Sequence, residues 1–252
     1  MTPMLRKRLV TVLTFNDGVL FRTKLFEPDY RYTHNFVDAW SVDEIVVLDV
    51  TRPGQGTREN FFRVVKDFAS RCFVPLAAGG GIRSLDDVKR MIDLGADKVV
   101  VNSMTVERPA LLGEIASLYG AQCVVCSIDA RQTADGRRYE AFTHFGTRPT
   151  GLEPAKLARQ AQTAGAGEIL ITSIERDGSL SGYDLDLCRS VTEAVSVPVL
   201  VSGGAGSWQH FVDAFNKAGA SGVCTSNIYH FTETSIRSAK NFLDKAGIAV
   251  RK

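Results

Sequence analysis

The chain has 252 residues, enough for one large core, and its hydrophobic share of 44% is ordinary for a globular protein. A formal net charge of +2 offers nothing to nucleic acid, and the apolar runs are strand-sized, far short of a bilayer span. Five cysteines, mostly inside apolar segments, fit reduced core residues of a cytoplasmic protein.

Arg6, Lys7 and Arg8 precede the apolar stretch Leu9–Phe15. Thr11, Thr14 and then Asp17 interrupt it and no small-residue cleavage site follows, so it reads as a first strand and not as a leader. Further strands are expected at Glu44–Val50, Val74–Ala78, Lys98–Val101, Cys123–Ile128, Glu168–Ser173, Val197–Val201 and Gly222–Thr225, all too uniformly apolar for a sheet with a wet face. Cys123 and Cys126 share one predicted strand, where alternation points them to opposite faces, so their C-x-x-C spacing signals neither redox chemistry nor zinc. Between strands, apolar residues recur at helical spacing, as in Phe61, Val64, Val65, Phe68 and in Leu85, Val88, Met91, Ile92. Ser84 and Ser207 stand where N-caps belong. Eight strand–helix units predict the α/β class and a parallel (βα)8 TIM barrel; an open doubly wound sheet uses the same units.

A repeat favours the barrel. Val74 to Ser103 runs strand, Gly-rich turn, amphipathic helix and strand, and Val197 to Asn227 follows the same plan half a chain later. Asp43–Asp49 matches Gly167–Ser173, and Val12-Leu13-Thr14 matches Ser127-Ile128-Asp129. One domain over 1–252 is expected, built from half-barrels at about 1–120 and 121–252. A Gly-rich turn after a buried strand frees backbone N–H groups beside a helix start, which suits a phosphate, and two such turns suit a ligand with two phosphates. Neither turn is followed by the lysine of a P-loop, so ATP is not indicated. The histidines, His34, His144, His210 and His230, lack paired ligand spacing, so no metal or other cofactor is expected.

Barrel chemistry sits at the C-terminal strand ends, here Thr14, Asp49, the glycines 79–81, Asn102, Asp129, Asp177, the segment 203–206 and Asn227. Asp129 ends a buried run, where a carboxylate is either satisfied structurally or functional. Asp177 precedes Gly178, a pair that commonly marks only a turn. At the opposite mouth, Arg8, Glu44, Lys98 and Glu168 stand at the starts of their strands; they are either solvated caps or, as their alternating signs favour, a charged gate.

GGGIRS, TSIERDGSLSGYD, PVLVSGGAGSWQHF and the four entry charges together resemble the cyclase subunit of imidazole glycerol phosphate synthase, HisF, along essentially the whole chain. The resemblance implies a barrel partnered by a HisH-type glutaminase on its N-terminal face, with ammonia travelling up the axis to a substrate held by both phosphates. It implies a gate of Arg8, Glu44, Lys98 and Glu168 and a glutaminase contact at Asp97. One phosphate site would use Gly80, Gly81, Asn102 and Ser103, and the other Asp177, Gly178, Gly203, Gly204, Ser226 and Asn227. Asp129 corresponds to the second catalytic aspartate, but Thr14 occupies the place of the first, and a hydroxyl is a poor proton shuttle at neutral pH. Arg22 replaces a lysine, and the loop from Thr23 to Trp40 lacks the family's Gly-Asp-Pro.

That asymmetry, a changed substrate end with an intact ammonia end, is similar to the HisF-like WbuZ family of surface-sugar amidation, which works with a glutaminase and a separate sugar amidotransferase. An authentic cyclase, with Asp17 or Asp129 moving the proton, and a phosphosugar-binding scaffold are the other readings. No nucleic acid or membrane partner is expected.

Overall fold

The structure is a computed structural model that describes residues 6–24, 27–29, 42–225 and 236–251. Eight parallel strands close into a barrel: β1 (Arg8–Asn16), β4 (Glu44–Asp49), β5 (Leu76–Gly79), β6 (Lys98–Val101), β7 (Val124–Gln132), β10 (Glu168–Ser173), β11 (Val199–Ser202) and β12 (Gly222–Thr225). Neighbours pair in that order, β7 pairs with β10, and β12 pairs back onto β1. Eight α-helices are described: α1 (Arg58–Arg71), α2 (Leu85–Asp93), α3 (Ser103–Glu107), α4 (Ala110–Tyr119), α5 (Pro154–Ala164), α6 (Leu185–Thr192), α7 (Trp208–Lys217) and α8 (Ile236–Lys245). The chain is therefore a (βα)8 TIM barrel, and no described helix is long and apolar enough to cross a membrane.

Strand alternation sorts the apolar residues into two cores. Outward side chains pack on the helices; Phe15 on β1 meets Phe61 and Phe68 of α1 at ring-centroid distances of 6.4 and 5.9 Å. Inside, each barrel strand contributes one buried residue to a single layer: Val10, Val46, Ala77, Val100, Val125, Leu170, Leu200 and Cys224. Ser84 caps α2 through a reciprocal box with Asp87, whereas Ser207 occupies the N-cap position of α7 without a side-chain bond.

The ladder register repeats between the halves. Thr14 pairs with Leu48 and Asp129 with Thr172, and Ile45 pairs with Leu76 as Ile169 does with Val199. Both leading strands also run on into antiparallel hairpins absent from the expectation above. β1 turns through Asp17 and Gly18, at φ 48° and 77°, into β2 (Val19–Lys24) and then β3 (Glu27–Asp29). β7 continues past Asp129 to Gln132 and pairs with β8 (Tyr139–Thr143), which pairs with β9 (Arg148–Pro149). The Asp-Gly pairs at Asp17 and Asp135 are the hairpin signals in the sequence. Asp129 thus lies within a strand and not at its end. Cys123 corrects another boundary: it closes a 3-10 turn (Ala121–Cys123) ahead of β7, and its thiol donates to the Tyr119 carbonyl at 3.0 Å. Cys126 alone sits in the strand, buried, its thiol 3.6 Å from Thr105 Oγ1; neither cysteine is in a disulfide.

Candidate functional site

The N-terminal mouth is closed by a ring of ions. Arg8 donates to Glu44 at 2.7 Å and to Glu168, and Lys98 Nζ donates to the same two carboxylates at 2.8 Å each. Glu44 is 1% exposed and Glu168 4%, so these are desolvated charges and not surface caps. Burial would lower the Arg8 pKa, but Glu168 and Glu44 outweigh it and hold the guanidinium above its usual value. The two glutamates are equivalents in the repeat, both pairing one strand back with Val10 or Val125. The cations come from different strand types, and Gly222, which pairs with Arg8, makes room for Leu200, since a Cβ there would lie 2.6 Å from Leu200 Cδ2. Two residues up each strand is the apolar layer described above.

Above that layer a cavity of about 840 Å³ opens at the C-terminal face. It descends to Val100, Leu170 and Cys224, so its floor is the layer directly over the ring. Thr14, Gly80, Gly81, Asn102, Ser103, Asp129, Asp177, Gly178, Gly203 and Gly204 all line it, which brings these strand-end candidates to one site, whereas Gly79 and Gly206 do not line it. Ser226 and Asn227 lie outside the described residues, as does most of the loop after Thr23. Asp97 is exposed beside the opposite mouth, with Oδ2 accepting from the Leu76 N–H at 2.8 Å.

Both Gly turns require glycine. Gly80 and Gly81 have φ of 97° and 62°, and Gly203 and Gly204 of 92° and 101°. A Cβ on Gly80 would fall 2.1 Å from the Asp49 carbonyl, and one on Gly203 2.6 Å from that of Ser173. Asp49 and Ser173 are themselves repeat equivalents, so each turn folds over the end of the preceding strand.

Thr14 and Asp129 stand on strands four places apart in the eight-strand ring, on opposite walls. Asp129 Oδ2 accepts from Asn102 Nδ2 at 3.1 Å, and that amide also donates to the Ser127 carbonyl at 3.2 Å. Ser103 Oγ in turn bonds Asn102 Oδ1 at 3.4 Å and accepts from the His144 N–H at 3.3 Å. The Asp129 carboxyl opens onto the cavity yet is enclosed by protein atoms. Burial, and then the charge of Asp177, push its pKa up to about 7 against the small opposing effect of Asn102. A carboxyl with that pKa both gives and takes protons near neutrality, whereas the Thr14 hydroxyl does not.

Asp17 is removed from the chemistry. Its Oδ1 accepts from the Thr57 N–H at 3.0 Å and Asn60 Nδ2 at 2.7 Å, which holds its pKa below the usual carboxylate range. It ties the β1–β2 turn to the start of α1 and does not line the cavity. Residues not foreseen include Arg52, Arg58 and Arg83 on the rim near Gly81, and Ser127, Thr172 and Ser202 on the inner wall. The hydroxyl residues follow from inward alternation, being two positions above Val125, Leu170 and Leu200.

Residues 11–235 match the model of a family described as Histidine biosynthesis protein. The chain belongs to that family. Its members are isomerase and cyclase enzymes, and the matched span includes both Gly turns, Asp129 and Asp177 of the cavity and three of the four ring residues. Arg8 precedes the matched span, although its guanidinium bonds both glutamates of the ring.

Proposed function

We propose that this family member is the HisF-type synthase subunit of a glutamine-dependent amidotransferase. A HisH-type glutaminase docks on the N-terminal face near Asp97 and hydrolyses glutamine to glutamate and ammonia. Ammonia passes Arg8, Glu44, Lys98 and Glu168 and rises along the axis to the cavity, where a phosphorylated small molecule lies between the two Gly turns, with Ser226 and Asn227 completing the second. The nitrogen is destined for a nucleotide-linked or surface sugar, with a separate sugar amidotransferase completing the transfer.

The observation that carries this reading is the position of the ion ring. Four desolvated charges cost several kcal/mol each to bury, and a barrel end is closed as well by apolar side chains. Here they sit at the foot of the axis, one side-chain layer below the floor of the cavity. Opening one pair admits a small polar molecule while the other charges remain satisfied. At the other end, Thr14 puts a hydroxyl and not a carboxyl on the strand opposite Asp129, so two-residue acid–base cyclisation loses the partner expected there. The test is the glutaminase rate of the cognate HisH-type protein with and without this chain. Stimulation is expected, and its loss in Glu168→Gln; an unchanged rate on adding the barrel rejects the reading.

A second reading, a working histidine-pathway cyclase, draws on the Asp129 pKa near 7, which suits a residue that acts alternately as acid and base. Complementation of a histidine auxotroph lacking the cyclase separates the two: growth supports the cyclase, and no growth supports the amidotransferase role.

A further inference from the structure

Each half of the barrel ends its leading strand in a hairpin, and each hairpin holds the segment that follows the neighbouring strand. In the first half the Val50 N–H donates to the Phe15 carbonyl at 2.9 Å, and in the second the Ile174 N–H donates to that of Ala130 at 2.9 Å. One residue further on, a side chain accepts from the hairpin backbone: Thr51 Oγ1 from the Asp17 N–H at 2.7 Å, and Glu175 Oε2 from the Gln132 N–H at 3.2 Å. With Thr14 set on Asp129 and Asp49 on Ser173, Asp17 falls on Gln132 and Thr51 on Glu175, so the tie is itself repeated. The hairpins also reach the far end of each segment, where the next helix starts. Asp17 Oδ1 accepts from the N–H of Thr57, the N-cap residue of α1, at 3.0 Å, and Tyr139 Oη donates to Asp184 Oδ1, the side chain that caps α6, at 2.8 Å.

The halves differ in what the strand and the held segment carry. In the first, the strand offers Thr14 and the position two beyond Thr51 is Pro53; in the second, the strand offers Asp129 and the position two beyond Glu175 is Asp177. All four line the cavity. One hairpin thus joins two carboxyls: Asp129 lies on β7 itself, and Asp177 lies in the segment tied at Glu175 and Asp184. Gln132 pairs with Tyr139 in the ladder, so both ties leave from a single rung, and Asp129 pairs with Phe142 in the same two strands. Around Asp129 the neighbouring strands offer uncharged groups, Asn102 on β6 and Thr172 on β10. Glu107 of α3 and His144 of the β8–β9 turn line the cavity beyond, with Oε1 and Nε2 3.4 Å apart. Asp177 is the charge that acts on Asp129, after burial.

We infer that the β7–β8 hairpin is a bracket for the proton-carrying group of the cavity: Glu175 and Tyr139 are positioning residues that hold the segment 174–184 by its two ends and so fix Asp177 against Asp129. Repulsion between the two carboxylates falls with their separation, so slackening the segment lets Asp129 ionise at lower pH. The inference goes beyond the proposed function and stands whether the cavity serves nitrogen transfer or cyclisation. The test follows the Asp129 carboxyl carbon by NMR across pH in the full chain with isotope-labelled aspartate, the signal being assigned by its loss in Asp129→Asn. In Tyr139→Phe/Glu175→Ala the midpoint is expected to fall by about half a pH unit or more, with part of that fall in each single variant. Glu175→Gln, which keeps an acceptor oxygen without the charge, should leave the midpoint in place. In an Asp177→Asn background the double substitution should add almost nothing, because the charge it displaces is gone. Thermal melts establish that each variant is folded, and the single variants decide the matter if the double one is not. An unmoved midpoint overturns the inference. So does an equal fall with and without Asp177, which would mean that the ties only keep water from Asp129, and so does an equal fall in Glu175→Gln.

Discussion

Asp129→Asn should stabilise this barrel, and by an amount that grows with pH. The Asp129 carboxyl is held up to about 7 in the folded chain, against 3.8 for an unperturbed aspartate, chiefly because burial disfavours its charge. That difference is worth about 4 kcal/mol of folding free energy, fully present below the unfolded pKa and lost as pH rises to the folded one. Between about pH 4 and pH 7 the folded protein holds a proton that the unfolded chain has released, so its stability falls by about 1.4 kcal/mol per pH unit from this group, then levels off. The amide of Asp129→Asn has no such proton and can still accept from Asn102 through its oxygen. Urea unfolding of both proteins at several pH values should therefore give stabilities that nearly coincide at about pH 4 and differ by about 4 kcal/mol at about pH 8, the variant being the more stable. In an Asp177→Asn background the difference should level off at lower pH and at a smaller value, because Asp177 is the second cause of the shift. A difference that stays flat across this range would refute the account of a buried, proton-holding carboxyl.

Glu44→Gln leaves the ring with a surplus buried cation, since Arg8 and Lys98 both bond that carboxylate, and should cost about 3 kcal/mol or more in urea unfolding. Gly80→Ala puts a methyl group 2.1 Å from a backbone carbonyl and should lower stability by about 2 kcal/mol or more, whereas Gly54→Ala, also at positive φ but with nothing within 4 Å, should cost less than half as much; equal melting shifts would contradict the close approach. Asp17→Asn should flatten the acid side of the stability profile: the lowered Asp17 pKa contributes stability at neutral pH that is lost as pH falls through its folded value. Phosphate titration of that variant should match the unaltered chain, since Asp17 lies outside the cavity lining.

The barrel was legible because its strands are uniformly apolar and its repeat is long. The expected Glu44–Val50 and Lys98–Val101 differ from the observed strands by one residue or none. The hairpins after Thr14 and Asp129 were carried by Asp-Gly pairs, but their strands are short and partly wet and were lost beside the stronger barrel pattern. Cys123 was misplaced because a 3-10 turn of Ala121, Gln122 and Cys123 merges with an apolar run. Arg58 escaped notice for a different reason: it lies twenty-two residues before the carbonyl it bonds, on a different loop.

What the sequence determined by itself was whatever depends on alternation along a strand. Arg8, Glu44 and Glu168 had to point inward two residues below Val10, Val46 and Leu170, and Gly80 and Gly203 had to start turns, because side-chain direction and backbone sterics are set within a few residues. Only the tertiary structure decided that the four charges close on one another, that Asp177 faces Asp129 and raises its pKa, and that one turn carries a guanidinium where the other carries a carbonyl. Those are distances between groups far apart in the chain, and electrostatic energy depends on separation and burial in space, which no local pattern encodes.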